Sequence, residues 1–262
     1  MKSFDKLTDK LARGDMLQEY FFKMLNKSGY IEGFEINDIE SLNCLGLDVS
    51  FKRDLITLNT RRRFWQEQRF CVVDIETNGC SDSRIIEIGA VMLKNGEIIE
   101  EFHSLIYAPT LNEAIVNLTG ITEEMLQNAP SEAEILEKFR LFLGNSVFVA
   151  HNAEFDYFSL SRSYRRYGLP PLLNRRLCTI KFAMRTIEAQ RYGLQTMREI
   201  LGLDHNIPHR ALWDARSAAE VFKTACQNIP SEIKSTEDLI RFTKTSPTKA
   251  ALTKQPRLNF DG

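Results

Sequence analysis

A chain of 262 residues has room for one sizeable domain with smaller additions. Its 43% hydrophobic and 10% aromatic content suits a folded protein, and no apolar run reaches the length of a membrane span. The formal net charge of −1 excludes a global positive field. The first fifteen residues lack the apolar core of a secretory signal, so a cytoplasmic location is expected. Five cysteines (Cys44, Cys71, Cys80, Cys178, Cys226) are scattered without CxxC spacing, which argues against a disulfide framework or a zinc site.

Three regions separate along the chain. Residues 1–68 hold an amphipathic helix pattern over 16–26, stopped by Ser28-Gly29, a shorter helix starting near Asn37, and a β-like Leu55-Ile56-Thr57-Leu58. A small helical or winged-helix-like module is expected there. Lys52, Arg53, Arg61, Arg62, Arg63 and Arg69 make the end of this region basic, which alone reads as a solvated face.

Residues 69–228 alternate strand and helix signals. Residues 70–73 read as a buried strand, and 84–93 with 98–107 as a hairpin turning at Lys94-Asn95-Gly96-Glu97. A helix over 131–143 opens with a Ser131/Glu134 capping-box pattern. A strand over 147–150 runs into a helix over 153–167, stopped by Gly168-Leu169-Pro170-Pro171. Further helices are expected over 179–188, 195–201 and 210–227. The sum is an α/β domain, a mixed sheet flanked by helices. Residues 229–262 read as a flexible basic tail with one short helix over 236–243.

Three segments carry chemistry. In Val72-Val73-Asp74-Ile75-Glu76-Thr77, residues two apart on a strand share a face, so Asp74 and Glu76 project together where the chain is still close to the core. Two such carboxylates repel unless a cation sits between them; equally, they could be solvated acids ending a strand. In His151-Asn152-Ala153-Glu154-Phe155-Asp156 a strand enters a helix, with Asn152 a good N-cap and the acids complementing the helix dipole. In His209-Arg210-Ala211-Leu212-Trp213-Asp214-Ala215, Asp214 lies on the packing face formed by Ala211, Ala215, Ala218 and Phe222. It needs a partner there, such as a buried salt bridge with Arg210 or Arg216. Oxygen-rich clusters select Mg²⁺ or Mn²⁺, a pair of which can clamp a phosphodiester, and an imidazole can take a proton from water near neutral pH.

Together, and in this order, the three segments resemble the motifs of the DEDDh family of 3′→5′ exonucleases, and within it the proofreading (epsilon) subunits of bacterial DNA polymerase III. The stretches 84–91 and 117–122 resemble that family too, and the likeness covers residues 69–228. It implies an RNase H-like fold with a five-stranded mixed sheet. By the same resemblance, Asp74, Glu76, Asp156 and Asp214 would hold two divalent cations and His209 would be the general base. Thr77 and the loop Gly120-Ile121-Thr122 would hold the terminal nucleotide. His151 and Asn152 are expected to be structural, and His103 and His205 match no role. The segment before the first motif is not found in the standard proofreading subunit.

The implied activity is hydrolysis of DNA 3′ ends to nucleoside 5′-monophosphates in proofreading or repair. The alternatives are an RNA 3′-end exonuclease like ribonuclease T or oligoribonuclease, and a non-catalytic module that binds nucleic-acid ends or a polymerase. Gln255-Pro256-Arg257-Leu258-Asn259-Phe260 resembles a bacterial sliding-clamp peptide, with Gln255, Leu258 and Phe260 as contact residues. The candidate partners are therefore frayed or single-stranded 3′ ends, a DNA polymerase and a sliding clamp.

Overall fold

The computed structural model describes residues 2–81, 83–203 and 209–244. Phe4, Leu7 and Leu11 recur at helical spacing, and the chain forms α1 (Lys2–Leu11) over them. The helix expected over 16–26 is shortened at its start. Met16 and Leu17 instead form β1 (Met16–Leu17), which pairs with Ile56 and Leu55, and α2 (Gln18–Lys27) follows. Next come α3 (Ile39–Cys44), β2 (Val49–Lys52) and β3 (Leu55–Leu58). The Asp38 carboxylate caps α3 by accepting from the Ser41 N–H at 2.7 Å. The three strands make an antiparallel sheet in the order β1-β3-β2. Phe4, Leu11, Phe21, Leu25, Leu42 and Ile56 are among the residues that fill the core between this sheet and the helices.

The second sheet contains β4 (Phe70–Thr77), β5 (Ile85–Lys94), β6 (Glu97–Leu105), β7 (Val147–Ala150) and β8 (Arg176–Cys178). Their spatial order is β6-β5-β4-β7-β8, with β5 antiparallel to its neighbours and β7 and β8 parallel to β4. Asn95 and Gly96, both at positive φ, make the tight turn of the β5–β6 hairpin. The helices are α4 (Glu113–Thr119), α5 (Glu123–Gln127), α6 (Glu132–Leu143), α7 (Ala153–Arg166), α8 (Thr179–Thr186), α9 (Leu194–Leu201), α10 (Ala211–Gln227) and α11 (Thr236–Lys244). This is the five-stranded mixed sheet flanked by helices that the sequence predicts. Among the described residues no helix is long and apolar enough to cross a membrane.

Strand alternation decides where the site lies. Cys71, Val73 and Ile75 pack toward Phe139 of α6 and Tyr157 and Leu160 of α7. Phe70 and Val72 point to the other face, against Phe182, Ala218 and Phe222 of α8 and α10. Asp74 and Glu76 share the parity of Phe70 and Val72, so the apolar row facing α10 ends in two acids.

The region expected to be a loose tail from residue 229 is, as far as Lys244, part of the fold. Leu239 and Ile240 of α11 are buried in the core shared with α8 and α10, which fixes the helix in place. The Glu237 carboxylate on α11 accepts from Arg175 Nε and Nη2, both at 2.8 Å, and from the Thr60 hydroxyl at 2.8 Å. Arg175 also donates to Thr8 and Asp9 of α1, both at 3.1 Å. One buried ion pair therefore joins α1, α11 and the segment leading into β8. Gln255, Leu258 and Phe260 lie outside the described residues.

Removing Glu237 would leave Arg175 buried without its bidentate partner. The Glu237→Ala variant is expected to lose roughly 3–5 kcal/mol of stability in urea unfolding. A change under about 1 kcal/mol would show that this pair does not hold the parts together.

Candidate active site

The site is built at the carboxyl end of β4, where three elements supply acids. Asp74 and Glu76 lie half-buried on β4. Asp156 is buried in the first turn of α7 and accepts a hydrogen bond from the backbone N–H of Ile75, which ties it to the same strand. Asp214 is buried in the first turn of α10, beside Ala211, Ala215 and Ala218 on the packing face predicted for it. Glu76, His209 and Asp214 each present a ligand atom within 4.8 Å of the other two.

The charge state reports the same convergence. Burial pushes the Asp74 carboxyl well above its ordinary range, and repulsion from Asp156, Asp214, Glu76 and Glu87 pushes it further. Burial, then Asp214, Glu87 and Asp156, raise Glu76 from 4.5 to about 8. Burial raises Asp156 from 3.8 to about 7. Asp214 is also raised by burial, although Arg198 and His209 oppose the shift. Carboxylates held this way bind protons for want of other cations. The donor set is oxygen plus one imidazole, without a thiol, and so fits a hard divalent ion such as Mg²⁺ or Mn²⁺.

Gly89 of β5 lies opposite Asp74 in the register, and a Cβ there would come 2.1 Å from the Leu212 backbone nitrogen. The absence of that carbon lets the first turn of α10 rest directly on the sheet, which sets Asp214 over β4. Glu87, opposite Glu76, then fixes the start of the helix. It is fully buried, and its Oε2 accepts from the Ala211 N–H at 2.9 Å. Its Oε1 accepts from Arg210 Nε at 3.0 Å and Nη2 at 2.8 Å, and lies 2.7 Å from His103 Nε2. Burial opposes ionisation of Glu87, but the bonds from His103, Arg210 and Ala211 outweigh it and hold the carboxyl below its usual range. Glu87 thus anchors the backbone immediately after His209, which is exposed and in the left-handed region at φ +57.

Several expectations change in detail. Asp214 does pair with a buried arginine, but with Arg198 of α9 rather than Arg210 or Arg216. Arg210 is engaged by Glu87, and Arg216 reaches Glu101 on β6. Asn152 precedes α7 in a left-handed conformation (φ +89) and makes no side-chain cap bond, so it does not cap the helix as the sequence predicts. His151 Nε2 donates to the Tyr192 carbonyl at 2.8 Å, and its Nδ1 lies 2.8 Å from the Thr179 hydroxyl. Burial lowers this ring to about 4, so it is a neutral structural group. His103, expected to have no role, is a partner of Glu87. His205 lies outside the described residues.

Thr77 ends β4 half-buried, and the next residue, Asn78, accepts from the Asn112 N–H at 3.0 Å. This ties the segment leading into α4 to the end of the central strand. Beyond α4, Gly120 is exposed at φ +69, and the Thr122 hydroxyl caps α5. Ile121 is fully buried and its N–H donates to the Thr119 hydroxyl at 3.1 Å. Contact with a nucleotide from this loop would fall to Gly120 and Thr122, because Ile121 serves as its anchor.

A mixed sheet with acids gathered at the end of its central strand is the plan of an RNase H-like fold, and comparison with known proteins gives the family. The exonuclease family model (RNase_T) matches residues 71–222, more than half of the chain. The DNA polymerase III PolC-type of Staphylococcus haemolyticus (strain JCSC1435) is 38% identical over 162 residues, 60% of this chain. The chain spans only 11–13% of the length of such curated relatives. Exonuclease X, solved with 5′-overhanging duplex DNA, shares the fold with a TM-score of 0.50 at 24% identity, covering 66% of this chain and 99% of that one. A 3′-exonuclease solved in 3′-end recognition of a histone mRNA stem-loop shares it with a TM-score of 0.53 at 18% identity, covering 64% and 84%. The chain belongs to the DEDDh exonuclease family.

The raised carboxylates give a pH test. Glu76 and Asp156 hold protons in the folded state that the unfolded chain has already released near pH 4, so without metal their ionisation destabilises the fold as pH rises toward 8. His151 has the opposite sign, since its neutral form is favoured on folding and stability is lost as pH falls from 6.5 toward 4. Between pH 6.5 and 8 the carboxylates act alone of these groups. In chelator, Tm should fall across that window, and Mn²⁺ should reverse the fall. A flat or rising chelated profile would contradict the raised carboxylates.

Proposed function

We propose that this chain is a metal-dependent 3′→5′ exonuclease that hydrolyses DNA 3′ ends to nucleoside 5′-monophosphates. The observation that carries this reading is the approach of Glu76, Asp156 and Asp214 to Asp74, close enough to repel its charge, with the exposed His209 imidazole alongside Glu76 and Asp214. The four carboxylates would hold two divalent cations, which when bound supply charge neutralisation and stabilise the charge that develops on the phosphate. His209 accepts a proton from the attacking water, whose oxygen forms the new bond to phosphorus as the bond to the 3′ oxygen of the preceding nucleotide breaks. Glu87 holds His209 through the backbone of Arg210 and Ala211, and Arg198 orients Asp214. Thr77, Gly120 and Thr122 border the path of the terminal nucleotide.

The polymerase III name of the relatives favours DNA as substrate and a role in replication proofreading or repair. It also makes a DNA polymerase and a sliding clamp the natural partners, the clamp through residues 255–260. The histone mRNA neighbour keeps an RNA 3′ end as the second reading, because the carboxylates and the base are indifferent to a 2′-hydroxyl. For residues 1–68, the order α1-β1-α2-α3-β2-β3 with its three-stranded sheet supports a winged-helix-like module. Residues 69–228 would form the exonuclease domain.

Wild-type protein with Mg²⁺ or Mn²⁺ should shorten an end-labelled DNA oligonucleotide from its 3′ end faster than the matched RNA. Asp74→Ala and Asp214→Ala should abolish turnover with the fold retained. His209→Ala should lower kcat by about 10²–10⁴-fold, the span expected for a positioned acid–base group. Normal turnover in any of these variants would refute the assignment.

A further inference from the structure

At the opposite end of β4 from the acids, cations from three distant parts of the sequence meet around one exposed aromatic ring. Arg13 follows α1, Arg61 and Arg62 follow β3, and Lys234 and Arg241 flank and belong to α11. With Phe64 they line a groove of about 370 Å³. The acids nearby do not balance them. Asp15 takes Arg61 and Arg62 together, and Asp238 lies 3.5 Å from Arg241. Glu237 also lines the groove but is already committed to Arg175. Among the described residues, neither Arg13 nor Lys234 has an ion-pair partner. The excess of positive charge stands out on a chain whose net charge is −1.

The backbone that carries the ring is tied down. Phe64 forms an isolated backbone bridge with Ser235, the Trp65 N–H donates to the Lys234 carbonyl at 3.1 Å, and the Thr236 N–H donates to the Arg63 carbonyl at 3.0 Å. Despite this fixed backbone, the Phe64 side chain faces out, and the residue is 54% exposed. A cation-lined groove with an aromatic platform matches the chemistry of a single strand, with phosphates on the arginines and lysine and a base on the ring. A surface that serves only solubility needs the charges but gains nothing from an exposed phenyl group among them.

We infer that this groove is a second binding site for single-stranded nucleic acid, which holds the strand upstream of the 3′ end being cleaved. The inference rests on the exonuclease reading for the identity of the strand. Phe70 to Glu76 spans roughly 20 Å at about 3.3 Å per residue. At the duplex rise of about 3.4 Å per nucleotide that is about six nucleotides in a straight line, and an extended single strand covers it with roughly half as many. The groove therefore engages long strands and not short ones. It explains why the module formed by residues 1–68 is locked to α11, since the site exists only where the two meet.

The test uses the full chain carrying Phe64→Ala, Arg13→Glu and Lys234→Glu together, with Phe64→Ala alone as the mild variant. Affinity for a fluorescent thirty-nucleotide single strand is read by anisotropy in the nuclease-silenced Asp74→Asn background. The triple variant should bind at least tenfold more weakly, and the slope of log K against log salt should drop by about 1.4, or ~0.7 for each lost phosphate contact. Phe64→Ala alone should weaken binding by about five- to a hundredfold, the range for one stacked base. Binding of a two-nucleotide strand, and hydrolysis of the p-nitrophenyl ester of thymidine 5′-monophosphate by the same variants with Asp74 intact, should be unchanged. Equal loss for short and long strands, no loss for the long one, or a preference for an acidic peptide over the strand would overturn the inference. If the wild type hydrolyses neither substrate, the exonuclease reading fails, while the anisotropy series still reports on the groove.

Discussion

Carboxylates repel, and the rest of this molecule is arranged so that four of them stay together at one end of a strand. Each carrier is anchored by something other than the acid it presents. β4 is the middle of five strands and cannot shift without breaking both its ladders. α7 enters from β7 and is packed against β4 through Tyr157 and Leu160. α10 rests on Gly89, and Glu87 grips its first N–H. The repulsion is thereby stored in the fold as an appetite for cations.

Glu87 and Arg198 show how a charged shell can support that cluster without belonging to it. Glu87 adds negative charge beside Glu76 and Asp74, yet it is neutralised locally by Arg210, is bonded to His103 and spends its second oxygen on the backbone of α10. Arg198 compensates one side of Asp214 and is itself held by the Ser217 hydroxyl at 2.9 Å. Both are positioning groups, since they orient the residues that would touch substrate or metal. A third charged centre, Arg175 with Glu237, works at larger scale, where it fastens α1 and α11 to the sheet domain.

The acidic cluster is more legible in the sequence than its supports. Period-two alternation placed Asp74 and Glu76 on one face, and the small residues Ala211, Ala215 and Ala218 marked the buried side of α10 on which Asp214 lies. Turn chemistry at Asn95-Gly96 placed the hairpin. What could not be read was long-range pairing. Arg198 stands on a short amphipathic helix where nothing local announces that it is buried, and Arg210 and Arg216, closer in sequence to Asp214, were the natural guesses. Glu87 sits inside an apolar strand, and its partners lie 16 and 123 positions away. β8, three residues long, is too short for any pattern, and Met16 and Leu17 became strand because β3 offered them a partner. α11 read as a lone helix in a tail, since its burial depends on the apolar core around Phe182 and on Arg175, both more than fifty positions away.

The account turns on whether the gathered acids are a cation cage. Crystals of the wild-type chain soaked in Mn²⁺ and measured for anomalous scattering would answer this directly. Two manganese peaks about 3.5–4 Å apart, bracketed by Asp74, Glu76, Asp156 and Asp214, are the predicted result. Ordered crystals with no anomalous density among these four side chains, or with manganese bound only elsewhere, would contradict it.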